Sequence, residues 1–235
     1  MIYITGDTHG FHDIYKLESN KKLPELSADD FLVIAGDFGG VWNGDWHDDA
    51  ILKFYGEQPY TTLFVDGNHE NFDLLNKYPV EQWNGGKIHR ITDKVIHLMR
   101  GQIFTIEDRH IFTFGGGNSV DKEYRTPGES WWPEEEPSED ECNEALENLE
   151  KNDFLVDYII THAAPESIVR NQITSEHKLL LIDCIAEKFL DTVLEKTVYR
   201  RWYCGHYHFD QDIKKHRLSV LYQRVVELRS CNRVK

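Results

Sequence analysis

The chain opens with three apolar runs, residues 2–4, 31–35 and 62–65, and each empties into a polar turn. The turns read Thr5-Gly6-Asp7-Thr8-His9-Gly10, Gly36-Asp37 and Asp66-Gly67-Asn68-His69-Glu70. Runs that are apolar at every position suit parallel strands covered on both faces. Residues 13–23, 48–55 and 71–77 supply the helical crossovers that parallel strands need. Ligands of such sheets collect beyond the carboxyl ends of the strands, which is where all three polar turns fall.

From 87 to 116 the pattern shortens to apolar segments at 88–91, 95–99, 103–106 and 110–114 with close turns between them, predicting an antiparallel meander. Residues 121–140 are rich in Pro, Glu and Trp without a period and predict a long surface loop. An acidic helix is expected over 139–151 and a buried strand over 156–160, feeding Thr161-His162-Ala163-Ala164-Pro165. A helix over 177–194 then leads to a strand at 199–204, the turn Gly205-His206-Tyr207-His208, and closing strands at 218–222 and 225–228. The reading is of one α/β domain over residues 1–235, with no internal repeat or linker.

Charge narrows the partners. With 26 basic and 41 acidic side chains the formal net charge is -15, which works against the phosphate-counterion exchange behind binding to long nucleic acids. Bound divalent cations would reverse that field locally, so small phosphorylated substrates stay open. No stretch reaches the roughly 20 apolar residues that span a bilayer, and no secretory leader pattern opens the chain; the expected location is the cytoplasm. Cys142, Cys184, Cys204 and Cys231 are scattered and fit buried reduced thiols.

The polar residues that follow strands are Asp7, His9, Asp37, Asn68, His69, His162, His206 and His208. This carboxylate, imidazole and amide set, free of thiolate, suits Mn²⁺, Fe²⁺ or Zn²⁺ and argues against a structural zinc site. Asp7 and His9, like His206 and His208, stand at alternate positions that turn toward one cavity in extended backbone. A glycine adjoins four of these groups, letting backbone approach an ion closely. Any one such turn is ordinary; five in order, each after a β run, point to a binding centre.

The ordered set Gly-Asp-Thr-His-Gly, Gly-Asp-Phe-Gly-Gly, Gly-Asn-His-Glu, Thr-His-Ala-Ala-Pro and Gly-His-Tyr-His, spanning residues 6–208, resembles the calcineurin-like metallophosphoesterase superfamily. The resemblance implies a four-layer α/β/β/α sandwich of two mixed sheets flanked by helices. It implies two divalent metal ions, Mn²⁺ first and Fe²⁺/Fe³⁺ or Zn²⁺ as alternatives. Asp7, His9 and His208 would hold one, Asn68, His162 and His206 the other, and Asp37 both. His69 would contact the substrate beside Asn68 and protonate the leaving oxygen. The implied activity is hydrolysis of a phosphate monoester or small phosphodiester by a metal-bridging hydroxide, with no covalent intermediate. A binding scaffold on the same fold, or a nuclease, are the alternatives; scaffolds typically lose a ligand, and here every expected position is filled.

One departure bears on substrate. The Ser/Thr protein phosphatases of the superfamily carry a phosphate-gripping arginine soon after the bridging aspartate, where this chain has Gly39 and Gly40. Arg125, beyond the turn Gly115-Gly116-Gly117-Asn118-Ser119, is the candidate replacement, because a guanidinium fork suits phosphate. Trp131 and Trp132 either cover the substrate or, as we favour, anchor their loop to the domain body. Glu70 is expected to orient its neighbours by hydrogen bonds.

Overall fold

The computed structural model of the protein describes residues 1–177 and 181–228. The three apolar runs become β1 (Ile2–Thr5), β2 (Phe31–Ala35) and β3 (Thr61–Val65), paired in parallel in that order. Beyond β3 the sheet continues antiparallel at its edge with β4 (Val80–Trp83) on β5 (Gly86–Thr92), and β5 on β6 (Val95–Leu98), which lies parallel to β3. The second sheet holds β7 (Gln102–Ile106), β8 (Arg109–Phe114), β9 (Tyr158–Thr161), β10 (Arg201–Cys204), β11 (Gln211–Ile213) and β12 (Leu218–Val220). There β8, β9, β10 and β12 are parallel, with β7 and β11 antiparallel at the two edges. A last strand, β13 (Val226–Glu227), returns to pair antiparallel with β1.

Side-chain alternation assigns the layers. From β1 and β2, Ile2, Ile4, Val33 and Ala35 point toward the second sheet and meet Ile111, Tyr158, Ile160 and Tyr203. The intervening Tyr3, Leu32 and Ile34 point the other way, onto helices α1 (Tyr15–Ser19), α2 (Trp46–Gly56) and α3 (Phe72–Leu75). On the far side Phe112, Phe114, Ile159 and Trp202 pack on α4 (Glu139–Lys151) and, after α5 (Glu166–Ile168), a π-helical turn at Val169–Ile173 and α6 (Thr174–His177), on α7 (Ile185–Lys196). Strands apolar on both faces therefore sit inside a four-layer α/β/β/α sandwich, as expected. No helix among the described residues is long and apolar enough to cross a membrane.

Several local expectations change. The meander over 87–116 is two hairpins in different sheets: β5 and β6 extend the first, β7 and β8 the second, with the chain crossing between them at 99–101. Short alternating strands specify pairing to a neighbour but not the sheet they join. The helix over 13–23 shrinks to α1 and a 3-10 turn at Leu23–Glu25, since Asn20 adopts extended backbone. The helix over 177–194 is divided, with residues 178–180 outside those described and Cys184 extended. The start of α7 is set by Glu136, whose carboxylate accepts from the Ile185 and Ala186 N–H groups at 2.9 and 3.3 Å, a cap supplied from 49 residues away. By contrast α4 carries its own capping box, Ser138 with Glu141. Cys184 and Cys204 are buried free thiols and Cys142 half-buried; Cys231 lies outside the described residues.

Candidate active site

The carboxyl ends of β1, β2 and β3 meet those of β8, β9 and β10, and every strand-end residue singled out above lands there. Backbone strain concentrates in the same place. His9 (φ 43), Asp37 (φ 48), His206 (φ 72) and His208 (φ 57) all occupy the left-handed region, costly for residues with a Cβ. Gly36 and Gly67 make the close approach possible, since a Cβ on the first would overlap the His162 ring and on the second the Asp37 carboxylate.

Hydrogen bonds at the periphery fix which atoms face inward. His162 Nδ1 donates to the Ala35 carbonyl at 2.9 Å, leaving the Nε2 lone pair 3.0 Å from Asn68 Oδ1, 3.1 Å from His206 Nδ1 and 3.4 Å from Asp37 Oδ1. Asn68 Nδ2 donates to Ser119 Oγ at 3.1 Å, and that hydroxyl donates to the buried Glu135 at 2.7 Å, so the amide oxygen is the end presented to the site. Across Asp37, His9 Nδ1 donates to Asp13 at 2.8 Å while Nε2 lies 3.2 Å from Asp37 Oδ2. Asp13 also accepts from Tyr222 Oη at 3.0 Å. Donor atoms of Asp7, Asp37 and His208 lie within 4.8 Å of one another.

Around His162 an amide oxygen, a carboxylate oxygen and a second imidazole crowd one ring nitrogen, an arrangement that needs a shared cation, either a proton on the imidazole or a metal ion. The donor set therefore fits divalent metal, in two groups that share Asp37. His69 also comes within 4.8 Å of His9 and Asp37, although the resemblance places it outside the ligands.

Electrostatics follow from burying two carboxylates among imidazoles. Burial lifts Asp7 to about 6 despite the opposing pull of His162. For Asp37 burial acts upward too, but His162 and His9 outweigh it and hold the group well below the carboxylate range. His9 moves the other way, to about 9, because the Asp37 and Asp7 charges overcome its burial. Burial and His162 hold His206 at about 3, and burial and His9 lower His208, so both present neutral nitrogens of the kind a metal takes.

Arg125 reaches the site. Its guanidinium Nη1 and Nη2 stand 3.2 and 3.5 Å from the two ring nitrogens of His69, while Nε pairs with Asp121 at 2.7 Å and Nη1 donates to the Ser130 carbonyl at 3.0 Å. Burial and the Arg125 charge press the His69 pKa below its ordinary value, although Asp37 opposes them. Trp132 is buried, donates to Asp73 at 3.0 Å and packs edge-on against Trp42; Trp131 is half-buried and donates to Glu135. Glu70 is buried and accepts from the Phe38 N–H at 2.8 Å, which shapes the turn after Asp37.

Sequence reading missed four supports: Asp13, Lys16, Ser119 and Glu135. Lys16 is the least expected, a buried ammonium that donates to the carbonyls of Gly6, Asp7 and Tyr222 at 2.7, 2.6 and 2.6 Å and so holds the first turn from beneath. Burial brings its pKa down to about 8 against the pull of Asp7. The signal for Glu135 was present in the run Glu134-Glu135-Glu136, where one acidic residue of three is wholly buried, but nothing local distinguishes it.

Comparison with known proteins agrees with this architecture. A crystal structure of a phosphopantetheinyl hydrolase from Mycobacterium tuberculosis superposes with a TM-score of 0.52 at 16% identity, covering 94% of this chain and 87% of that one, a likeness of fold. No curated protein sequence matches. The strand-end turns that build the site all fall within residues 1–210, and over that span the sequence matches the family model of the calcineurin-like phosphoesterases, the family to which the chain belongs.

Proposed function

We propose that the protein is a dinuclear metal-dependent hydrolase of small phosphate esters, with phosphodiesters favoured. The observation that carries the reading is the pair of converging donor groups on either side of Asp37, their inward lone pairs set by Ala35, Ser119 and Asp13. Asp7, His9 and His208 would hold one ion, Asn68, His162 and His206 the second, and Asp37 both. Bound there, two divalent ions supply Lewis-acid activation of water and neutralise charge on phosphoryl oxygens.

The chain's own groups supply the rest. Arg125 lies where its guanidinium can meet a nonbridging oxygen while Asp121 steadies it. His69 is held neutral in the free protein; a phosphate anion beside it favours the imidazolium, which then gives its proton to the leaving oxygen. Diester preference follows from charge and shape. Two cavities of about 390 and 440 Å³ meet at His69, room for a substituent on each side of the phosphorus. Beyond the ions, Arg125 is the one ammonium or guanidinium among their described lining residues, and it is paired with Asp121, so the chain itself adds little toward the second charge of a monoester.

The test is turnover of p-nitrophenyl phosphate and bis-p-nitrophenyl phosphate by metal-stripped protein resupplied with Mn²⁺. The phosphopantetheinyl group named for the fold relative gives one natural ester to place beside them. We expect faster turnover of the diester, a loss on the order of 10³-fold or more in Asp37→Ala with metal stoichiometry reduced, and ~10²–10⁴-fold in His69→Ala with stoichiometry retained. Absence of metal-dependent turnover on any ester would overturn the reading.

A further inference from the structure

One wall of the cavity beside His69 is not used by the phosphate chemistry. Val120, Val169, Leu181 and Ile182 make it apolar, and Val120 and Leu181 are 62% and 42% exposed, large apolar groups at its edge with little protein cover. Asn118 lines the same cavity yet is only 3% exposed. Its Nδ2 donates to the Asp183 carbonyl, and turning the amide over would set oxygen against oxygen, so its orientation is fixed by chemistry. The other end, Oδ1, is buried and has no hydrogen-bond partner among the described residues. Buried carbonyl oxygens are nearly always paired, because desolvation without a donor is unfavourable.

The neighbouring residues sharpen the contrast. Ser119 is fully engaged, receiving Asn68 Nδ2 and donating to Glu135, and Gly117 passes 3.3–3.4 Å from the Asn68, His162 and His206 side chains if given a Cβ. Three consecutive residues thus run from the metal-facing donors to an acceptor with nothing to accept, at the start of an apolar wall.

We propose that Asn118 Oδ1 selects substrates whose organic group carries a hydrogen-bond donor, an amide N–H or a hydroxyl, next to an apolar portion that lies against Val120, Val169 and Leu181. This rests on the phosphoesterase reading above and adds a specificity determinant to it. A substrate donor that reaches this acceptor gains a hydrogen bond that the analogue lacking one cannot make.

The experiment compares two pairs of p-nitrophenyl phosphodiesters, one with a secondary amide against its N-methyl analogue and one with a hydroxyl against its methyl ether. Bis-p-nitrophenyl phosphate is the donor-free reference. Wild-type protein with Mn²⁺ is expected to prefer the donor-bearing member of at least one pair by about tenfold in kcat/KM, and the responding pair identifies the donor. Asn118→Leu, similar in volume and without an acceptor, should reduce that preference to within about twofold, and Asn118→Asp, which keeps an acceptor, should retain most of it. A preference caused by methyl bulk would survive in Asn118→Leu and overturn the proposal. So would equal turnover within both pairs by wild type, a result that needs no variant to fold. Silence on every one of these diesters and on p-nitrophenyl phosphate would instead overturn the phosphoesterase reading itself.

Discussion

Arg125 illustrates what one residue contributes and how it can be tested. Its guanidinium touches both ring nitrogens of His69, so it acts on that imidazole before any substrate arrives. Removing a cation from a buried imidazole favours the protonated form; Arg125→Ala should therefore raise the His69 pKa, read by NMR titration of the metal-free protein. The same variant should lose on the order of 10–10³-fold in kcat/KM on phosphodiesters, the range for one charged donor to a transition-state oxygen. An unmoved His69 together with unchanged kinetics would reduce Arg125 to a loop residue. At this scale the inward-facing residues were legible because each one follows a strand directly, whereas their supports were not. Nothing local marks Lys16 within the helix expected over 13–23, and only the fold brings Gly6, Asp7 and Tyr222 around its ammonium.

Among the elements, the segment from Gly115 to Glu136 carries the most function for the least regular structure. It brings Ser119 to Asn68, Asn118 to the apolar wall and Arg125 to His69, and Glu136 caps α7. Over 121–140 the lack of period predicts a surface loop, and the backbone there is irregular apart from 3-10 turns at Lys122–Tyr124 and Pro133–Glu135 and the start of α4; what the pattern does not show is that Glu135 and Trp132 turn inward. Trp132 decides between anchor and cover. An anchor contributes to stability without substrate, so Trp132→Ala should cost about 3–5 kcal/mol in urea unfolding, the usual range for a buried tryptophan, and should weaken turnover through the displaced Arg125. A cover would instead raise KM with unfolding unaltered. The rest of the element-scale reading divides by locality: strands with unbroken apolar runs and the self-capped α4 were legible, while α7, capped by Glu136, and the hairpins shared between two sheets depend on contacts remote in sequence.

Across the whole molecule, a buried ionic cluster ties the layers together and contributes to the response to acid. Asp66, at the end of β3, receives Arg100 at 2.8 and 2.6 Å and lies 3.2 Å from His97 of β6; His97 in turn lies 3.2 Å from His89 of β5, and Arg100 donates to the Glu134 carbonyl at 2.7 Å. The cluster joins the first sheet, the crossover to the second and the functional loop, and no periodicity could reveal it, since its members lie on separate elements. Burial alone would raise Asp66, but Arg100 and His97 hold it well below the carboxylate range; that stability is present at neutral pH and is lost as pH falls below about 4. For His89, burial and His97 lower the pKa to about 4, against 6.5 for an exposed histidine. Between those values the unfolded chain binds the extra proton, so stability falls as pH drops from 6.5 toward 4, by up to ~3 kcal/mol. Asp7 and Glu187, raised to about 6 and 7, work in the opposite sense, their protonated forms being favoured in the fold, but they are common to any variant at position 89. Urea unfolding of wild type and His89→Gln at pH 7.5 and 4.5 isolates the histidine: the variant should lose less stability between the two, because it has no imidazole to charge. Equal losses would show that acid acts elsewhere and that the His89–His97 pair accepts a proton in place.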